Sequence, residues 1–186
     1  KWVSSKVNDI LKEKFNLKKD IFLYADTDSI FVSLDFVAEK LKTKDPAKIA
    51  DGINNFSKKV IEPIIRDCYE ELKNYMNANE NAMHMKQEKL MEKFLLNSKK
   101  KYCYLCWDNE GVRFDEPEFG VTGLEIIRSS TPKAVKPFLK NTMIQLMKSP
   151  DNLHDYMKKI KEEFMKLEPE QIAFPRGVSD VNKYSD

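Results

Sequence analysis

The sequence is poor in several features that would assign a protein to a class at once. No hydrophobic run in its 186 residues reaches the length of a membrane span, and residues 1–5 do not form a signal peptide. Neither sign of charge prevails, because 32 Lys and Arg residues face 30 Asp and Glu residues. The sequence therefore predicts a soluble cytoplasmic chain, in which any affinity for nucleic acid comes from local basic patches.

Cysteine is also scarce, and its pattern excludes two kinds of site. Of the three cysteines, Cys103 and Cys106 have the spacing of a zinc knuckle or a redox pair. The stretch around them predicts a strand, in which side chains three positions apart point to opposite faces, and no second pair completes a zinc site. His84 and His154 have no clustered partner in the sequence. We interpret the thiols as core side chains.

What the sequence does have is an acidic turn between two apolar runs. Residues 21–24 and 30–34 are rich in β-branched and aromatic side chains without polar alternation, which predicts a hairpin covered on both faces. Asp26 and Asp28 lie at its tip, two positions apart. In extended geometry their carboxylates share one side and suit a hard cation such as Mg²⁺. An ordinary Asp- and Ser-containing turn is the alternative.

Helices and further strands are predicted around this hairpin. The spacing of apolar residues predicts a first helix ending near Asn16, a short helix from Asp35 to Leu41, and a long helix from Asp45-Pro46 with a kink near Pro63. Strands are expected at 82–94 and 102–107, a turn between two strands at 109–111, and a stretch that closes the sheet at 119–127. Helices are expected at 130–150 and 153–167. The fold class is therefore α+β, with an antiparallel sheet and covering helices followed by a mainly helical part.

Three segments resemble family B DNA polymerases, in the order in which that family carries them. Residues 24–29 (Tyr-Ala-Asp-Thr-Asp-Ser) resemble the Tyr-Gly-Asp-Thr-Asp-Ser signature, and residues 99–102 resemble the Lys-Lys-Arg-Tyr element. Residues 123–133 resemble the palm-to-thumb passage of T-even-like phage replicative polymerases. The resemblance spans nearly the whole chain. It implies that residues 1–125 are the carboxy-terminal part of a palm subdomain and residues 126–186 a partial thumb.

The resemblance implies nucleotidyl transfer supported by two Mg²⁺ ions. Asp28 is the expected principal metal ligand and catalytic carboxylate, with Asp26 in a supporting or occasional role and Glu88 as an auxiliary ligand or a solvated strand acid. Thr27 is expected to bind the nucleotide. The residues expected to bind primer–template DNA are Lys99, Lys100, Lys101, Tyr102, Arg128, Ser129, Ser130, Thr131 and Lys133. Lys101 stands where Arg is common and so lacks a bidentate donor.

Motifs of the complete family that this sequence lacks limit what the chain can do alone. It has no Asp-x-x-Ser-Leu-Tyr-Pro segment for the opposing aspartate, no Lys-x-x-x-Asn-Ser-x-Tyr-Gly helix for the triphosphate, and no exonuclease acids. We therefore expect an excised fragment or a split subunit with an incomplete thumb, inactive by itself.

The expected partners are primer–template DNA, deoxynucleoside triphosphate and the remaining polymerase segments, with a sliding clamp as a further candidate and no membrane. A phage-encoded protein would act in the host cytoplasm. The alternatives are a duplex-DNA-binding module without catalysis, and an unrelated protein whose acidic hairpin binds Ca²⁺ structurally.

Overall fold

The computed structural model describes residues 2–177, 180 and 183, and its α+β fold confirms the predicted class. The helices are α1 (Trp2–Phe15), α2 (Asp35–Ala38), α3 (Pro46–Phe56), α4 (Glu62–Tyr75), α5 (Lys136–Lys148), α6 (Leu153–Phe164) and α7 (Pro169–Ile172). The strands are β1 (Phe22–Asp26), β2 (Ser29–Val32), β3 (Lys89–Ser98), β4 (Lys101–Asn109) and β5 (Val112–Thr122). In the described part of the chain, no helix is long and apolar enough to cross a membrane.

The strands form a two-stranded sheet, β1-β2, and a three-stranded sheet of order β3-β4-β5. The chain divides into two compact units. Unit 1 consists of residues 1–92 and 106–118, and unit 2 consists of residues 93–105 and 119–186. Strands β3, β4 and β5 each contribute residues to both units.

The core of unit 1 is built on α1 and α4. Val3, Val7 and Leu11 repeat every four residues, so they lie on one face of α1, and all three are buried. They pack in one cluster with Ile65 and Cys68 of α4. Partly buried residues of the β1-β2 hairpin and its flanks also pack against this cluster, so the cluster holds the hairpin in place.

The long helical region contains a feature that the sequence did not predict. Asp45 caps α3 as expected, because its carboxylate accepts a hydrogen bond from the Ala47 amide at 3.0 Å. Between α3 and α4 runs a π-helical turn, Ser57–Ile61. A π turn rotates the following helix face by about one extra residue, and this turn lies next to the position at which the kink was predicted. Pro63 follows this π turn by two residues, inside a helical run that continues from Pro46 to Tyr75.

Three predicted boundaries are wrong for identifiable reasons. Helix α2 ends at Ala38, and Asp35 lies in its first turn, where its carboxylate accepts a hydrogen bond from the Ser33 hydroxyl at 2.8 Å. Strand β3 begins at Lys89, and just before it the Gln87 amide donates to the Glu62 carboxylate at 3.2 Å rather than to a neighbouring strand. Strand β5 runs from Val112 to Thr122, since the 109–111 turn leads directly into it.

The hairpin strands are not covered on both faces, which contradicts the prediction for residues 21–24 and 30–34. Strand β1 alternates between half-buried and exposed positions, and Leu23 is 51% exposed. Strand β2 is half-buried throughout. The described chain therefore leaves Leu23 and Ala25 of β1 exposed, while every position of β2 is partly buried.

The core of unit 2 joins its sheet residues to α5. Cys103, Leu105 and Met147 are buried together, and partly buried residues such as Leu124 and Met143 pack around them. The three cysteines are free and buried, which confirms their interpretation as core thiols. Burial raises the pKa of Cys103 and of Cys106, as expected for a thiol removed from water.

Candidate metal and nucleic-acid-binding sites

The acidic turn is a tight antiparallel hairpin. Asp26 pairs with Ser29, so Thr27 and Asp28 alone form the turn. Thr27 has a φ of +50°, in the left-handed region that such two-residue turns require. The Ser29 hydroxyl donates to the Asp26 carbonyl at 3.0 Å, and the Thr27 hydroxyl donates to the Asp26 carboxylate at 3.3 Å. These two hydrogen bonds lie within the tip itself.

The two carboxylates at the tip differ in environment. Asp26 is half-buried at the end of β1, whereas Asp28 is exposed in the turn. Asp28 is therefore not in the extended geometry that we predicted for the pair, because the chain reverses direction at Thr27. Asp28 is open to an incoming ion, and the Asp26 carboxylate already accepts a hydrogen bond from Thr27.

Glu88 belongs to the same compact unit as the hairpin, but it is not grouped with Asp26 and Asp28 as a metal site. It is exposed, it precedes β3 by one residue, and its carbonyl accepts the Glu110 amide. Within residues 2–177, 180 and 183, no three His, Cys, Asp or Glu side chains are grouped as a metal site. The carboxylate oxygens of Asp26 and Asp28 are of the type that Mg²⁺ prefers, but two such residues make only part of a coordination shell.

The predicted lysine element forms the turn between β3 and β4. Lys99 and Lys100 are the exposed turn residues, and Lys100 has a φ of +60°. Lys101 and Tyr102 begin β4, and the Tyr102 ring lies 5.4 Å from the ring of Phe94 and 6.2 Å from that of Tyr104. Aromatic neighbours on one sheet face hold the Tyr102 ring beside the lysines.

A second basic segment follows the end of β5. Arg128, Ser129, Ser130 and Lys133 are exposed. The Arg128 guanidinium pairs with the Glu125 carboxylate at 3.1 Å, and both side chains stay about half exposed. This segment is a series of bends, and α5 begins only at Lys136, so the helix start predicted at Ser130 is wrong.

Thr131 differs from its neighbours in this segment. It is 5% exposed, and its hydroxyl donates to the Glu125 carbonyl at 2.6 Å. This bond explains why Thr131 does not cap α5, since the hydroxyl is directed to the preceding 3₁₀ turn. The observed contacts give Thr131 a supporting role within the segment rather than an open hydroxyl.

The segment borders an open cleft that extends to α7. Ser129, Lys133 and Lys136 line it on one side, and Glu170 and Gln171 line it on the other. Sequence reasoning did not single out Lys136 or Gln171. Lys136 follows Lys133 at helical spacing, but Gln171 is distant in sequence and no local pattern connects it with this cleft.

The predicted site residues divide cleanly between the two compact units. Asp26, Thr27, Asp28 and Glu88 belong to unit 1. Every residue expected to bind DNA, from Lys99 to Tyr102 and from Arg128 to Lys133, belongs to unit 2.

Comparison with known proteins identifies the class. The family model described as "Divergent Family B DNA polymerase" matches residues 9–166, and the chain belongs to this family. The resemblance found in the three motifs is thereby confirmed, and the alternative of an unrelated Ca²⁺-binding protein is excluded.

Two phage proteins are similar to the chain over most of its length. The DNA-directed DNA polymerase of Enterobacteria phage T4 is 32% identical over 198 residues, which cover 100% of this chain and 22% of that protein. The DNA-directed DNA polymerase of Escherichia phage RB69 is 35% identical over 158 residues, which cover 78% of this chain and 18% of that protein. The chain thus spans about a fifth of the length of these relatives.

Proposed function

We propose that this chain supplies the palm carboxylates and the primer–template-binding surface of a DNA-directed DNA polymerase. The observation that carries the proposal is the Asp26–Asp28 hairpin tip, hydrogen-bonded into a fixed turn in a chain of the family B polymerases. Residues 1–125 would be the carboxy-terminal part of the palm and residues 126–186 part of the thumb. The remaining polymerase segments would act as partners, and a sliding clamp is a further candidate.

The reaction would be the attack of a primer 3′-hydroxyl on the α-phosphate of a deoxynucleoside triphosphate, with pyrophosphate leaving. Two Mg²⁺ ions, when bound, would lower the pKa of the attacking hydroxyl and offset the charge that develops at the phosphorus. Asp28 would be the principal ligand because it is exposed at the tip. Asp26 would assist, with its carboxylate held by Thr27, and Glu88 would be auxiliary.

The lysine turn and the Arg128–Lys133 segment would hold the duplex near the primer end. Their exposed cations would contact phosphates, which gives affinity and orientation without reading sequence. Thr131 would support this segment without contacting DNA, through the hydrogen bond from its hydroxyl to the Glu125 carbonyl. Thr27, which is exposed at the tip, would be placed to contact the nucleotide.

Primer extension tests the catalytic part of this proposal. The chain alone is expected to be inactive, because its sequence contains no opposing palm aspartate or triphosphate-binding helix. Mixed with the remaining polymerase segments in Mg²⁺ and all four deoxynucleotides, it should extend a primer. Asp28→Asn should lower the rate of that mixture by more than about 100-fold, because it removes a metal-ligand charge at nearly constant shape.

Asp67→Asn is the matched control, since Asp67 is an exposed acid on α4 whose side chain is 75% accessible. The control should extend primers at the unmodified rate. Extension by the chain alone, or full activity of Asp28→Asn, would contradict the assignment. Duplex binding without extension in the complete mixture would instead indicate a DNA-binding module without catalysis.

A further inference from the structure

Gly123, directly after β5, lies in close backbone contact with the lysine turn. Its φ of +65° is left-handed, and a Cβ at this position would overlap the Lys100 carbonyl oxygen. That Cβ would also lie 3.1 Å from the Lys100 carbonyl carbon and 3.3 Å from Cγ of Lys101. Backbone cannot move aside as a flexible side chain can, so glycine is required here both for its φ and for space.

The residues that follow Gly123 are held in place by packing and by hydrogen bonds. Leu124 packs against the buried cluster that contains Cys103 and Leu105. The Glu125 carbonyl accepts both the Thr131 hydroxyl at 2.6 Å and the Arg128 amide at 3.2 Å. Since these contacts form a continuous series, the position of the Arg128–Lys133 segment depends on where the backbone leaves Gly123.

We propose that Gly123 is a positioning residue that joins the lysine turn and the Arg128–Lys133 segment into one duplex-DNA-binding surface. This inference rests on the proposed function. Lys99, Lys100 and Lys101 lie on one side of the Gly123 contact, and Arg128 and Lys133 follow it in the chain. Phosphates of a duplex have fixed spacing, so two cationic segments bind them together only when the distance between the segments is also fixed.

The test compares Gly123→Ala with Gly111→Ala in this chain assembled with the remaining polymerase segments. Gly111 also has a left-handed φ, of +86°, but among the described residues nothing lies within 4 Å of where its Cβ would be. Both variants therefore introduce an alanine at positive φ, and only Gly123→Ala adds the clash with Lys100. Binding of a fluorescent primer–template duplex would be measured by anisotropy over a series of salt concentrations.

Gly123→Ala should weaken duplex binding by about 10-fold or more, and should reduce the slope of log affinity against log salt by about 0.9 for each phosphate that the variant no longer neutralises. Gly111→Ala should match the unmodified protein in both. In primer extension by the complete polymerase, Gly123→Ala should raise the KM for primer–template and leave kcat within about 3-fold, because the catalytic acids lie on the other unit.

The inference and the proposed function fail in different ways. If the unmodified protein does not bind duplex DNA, the proposed function itself is wrong. If it binds, Lys100→Ala weakens binding and Gly123→Ala does not, the role of Gly123 is wrong. A double variant with Lys100→Ala should lose less than the product of the two single losses, because both act through the same turn. Full additivity would also overturn the inference.

A measurement on the unmodified protein covers the case in which Gly123→Ala does not fold. Hydrogen–deuterium exchange would be followed while duplex DNA is added. Amides of residues 99–102 and 124–131 should gain protection over the same range of DNA concentration, since they belong to one surface. Protection of only one of these segments would overturn the inference.

Discussion

Replacing Thr131 by Val tests how the second basic segment is held. Thr131 is 5% exposed and its hydroxyl donates to the Glu125 carbonyl at 2.6 Å. Valine keeps the β-branched shape of the side chain and replaces the hydroxyl donor by a methyl group. The change therefore isolates one buried hydrogen bond in the segment that we propose as a phosphate-binding surface.

The cost can be estimated from the partners that remain. A typical buried hydrogen bond contributes about 0.5–1.5 kcal/mol, and an acceptor left without any partner costs about 1–3 kcal/mol. The Glu125 carbonyl would keep the Arg128 amide at 3.2 Å, so it is not left unsatisfied. We therefore expect Thr131→Val to lower the free energy of unfolding by about 1 kcal/mol. Thr131→Ser keeps the donor and loses a methyl group, which costs about 0.8 kcal/mol by burial alone.

Urea unfolding and duplex binding together separate the two roles of the hydroxyl. If the hydroxyl supports the segment, Thr131→Val should have a lower free energy of unfolding and should bind duplex DNA several-fold more weakly. Thr131→Ser should bind duplex DNA like the unmodified protein. Ser130→Ala, at an exposed neighbouring position, reports the effect of losing a hydroxyl without burial. Weaker DNA binding by Thr131→Val with an unchanged free energy of unfolding would mean that the hydroxyl contacts DNA directly. That result would refute the supporting role of Thr131.

Two further predictions concern unit 1. Arg113 stacks 4.4 Å from the Trp107 ring centroid and donates to the carbonyls of Ala47, Trp107 and Phe114. Arg113→Ala should lower the free energy of unfolding in urea by about 2–4 kcal/mol. Arg66→Ala, which removes the exposed ion pair with Asp67, should lower it by less than about 0.5 kcal/mol. Equal losses for the two variants would contradict the role of Arg113. Hydrogen bonds from Lys12 and Asn8 lower the pKa of Asp20, so its contribution to stability is present above the ordinary carboxyl pKa and is lost as pH falls through the folded value. Lys12→Gln should return the pKa of Asp20 toward its ordinary range in an NMR titration, and an unchanged pKa would rule out Lys12 as the cause.

The acidic hairpin was predictable in its place but not in its detail. Apolar runs on both sides of four polar residues predicted two strands and a tip, and both strands are observed. The pattern could not tell that the turn takes only Thr27 and Asp28, because turn length depends on which residues pair. Nor could it tell that Leu23 is exposed, because an apolar side chain does not show whether the surface that would cover it belongs to the same chain.

The errors in unit 2 have a different cause. Ser130-Thr131-Pro132 has the composition of a helix start, and local propensity alone favours a cap there. The Thr131 hydroxyl bonds to Glu125 instead, six residues back in the chain. A tertiary contact of this kind leaves no periodic signal, so sequence placed the segment correctly in the chain and gave it the wrong local structure.

Each of the three hairpin turns in the described chain contains a non-glycine residue in the left-handed region. Two-residue turns with left-handed residues favour Asn, Asp and Gly, yet the turn at Glu110–Gly111, which we assign to no site, has a glutamate with a φ of +54°. Thr27 and Lys100 adopt the same left-handed conformation with a β-branched and a long side chain, which is less favourable for each. Because Glu110 has the same conformation away from both proposed sites, the left-handed φ of Thr27 and Lys100 follows from the geometry of two-residue hairpin turns and is not by itself a sign of function.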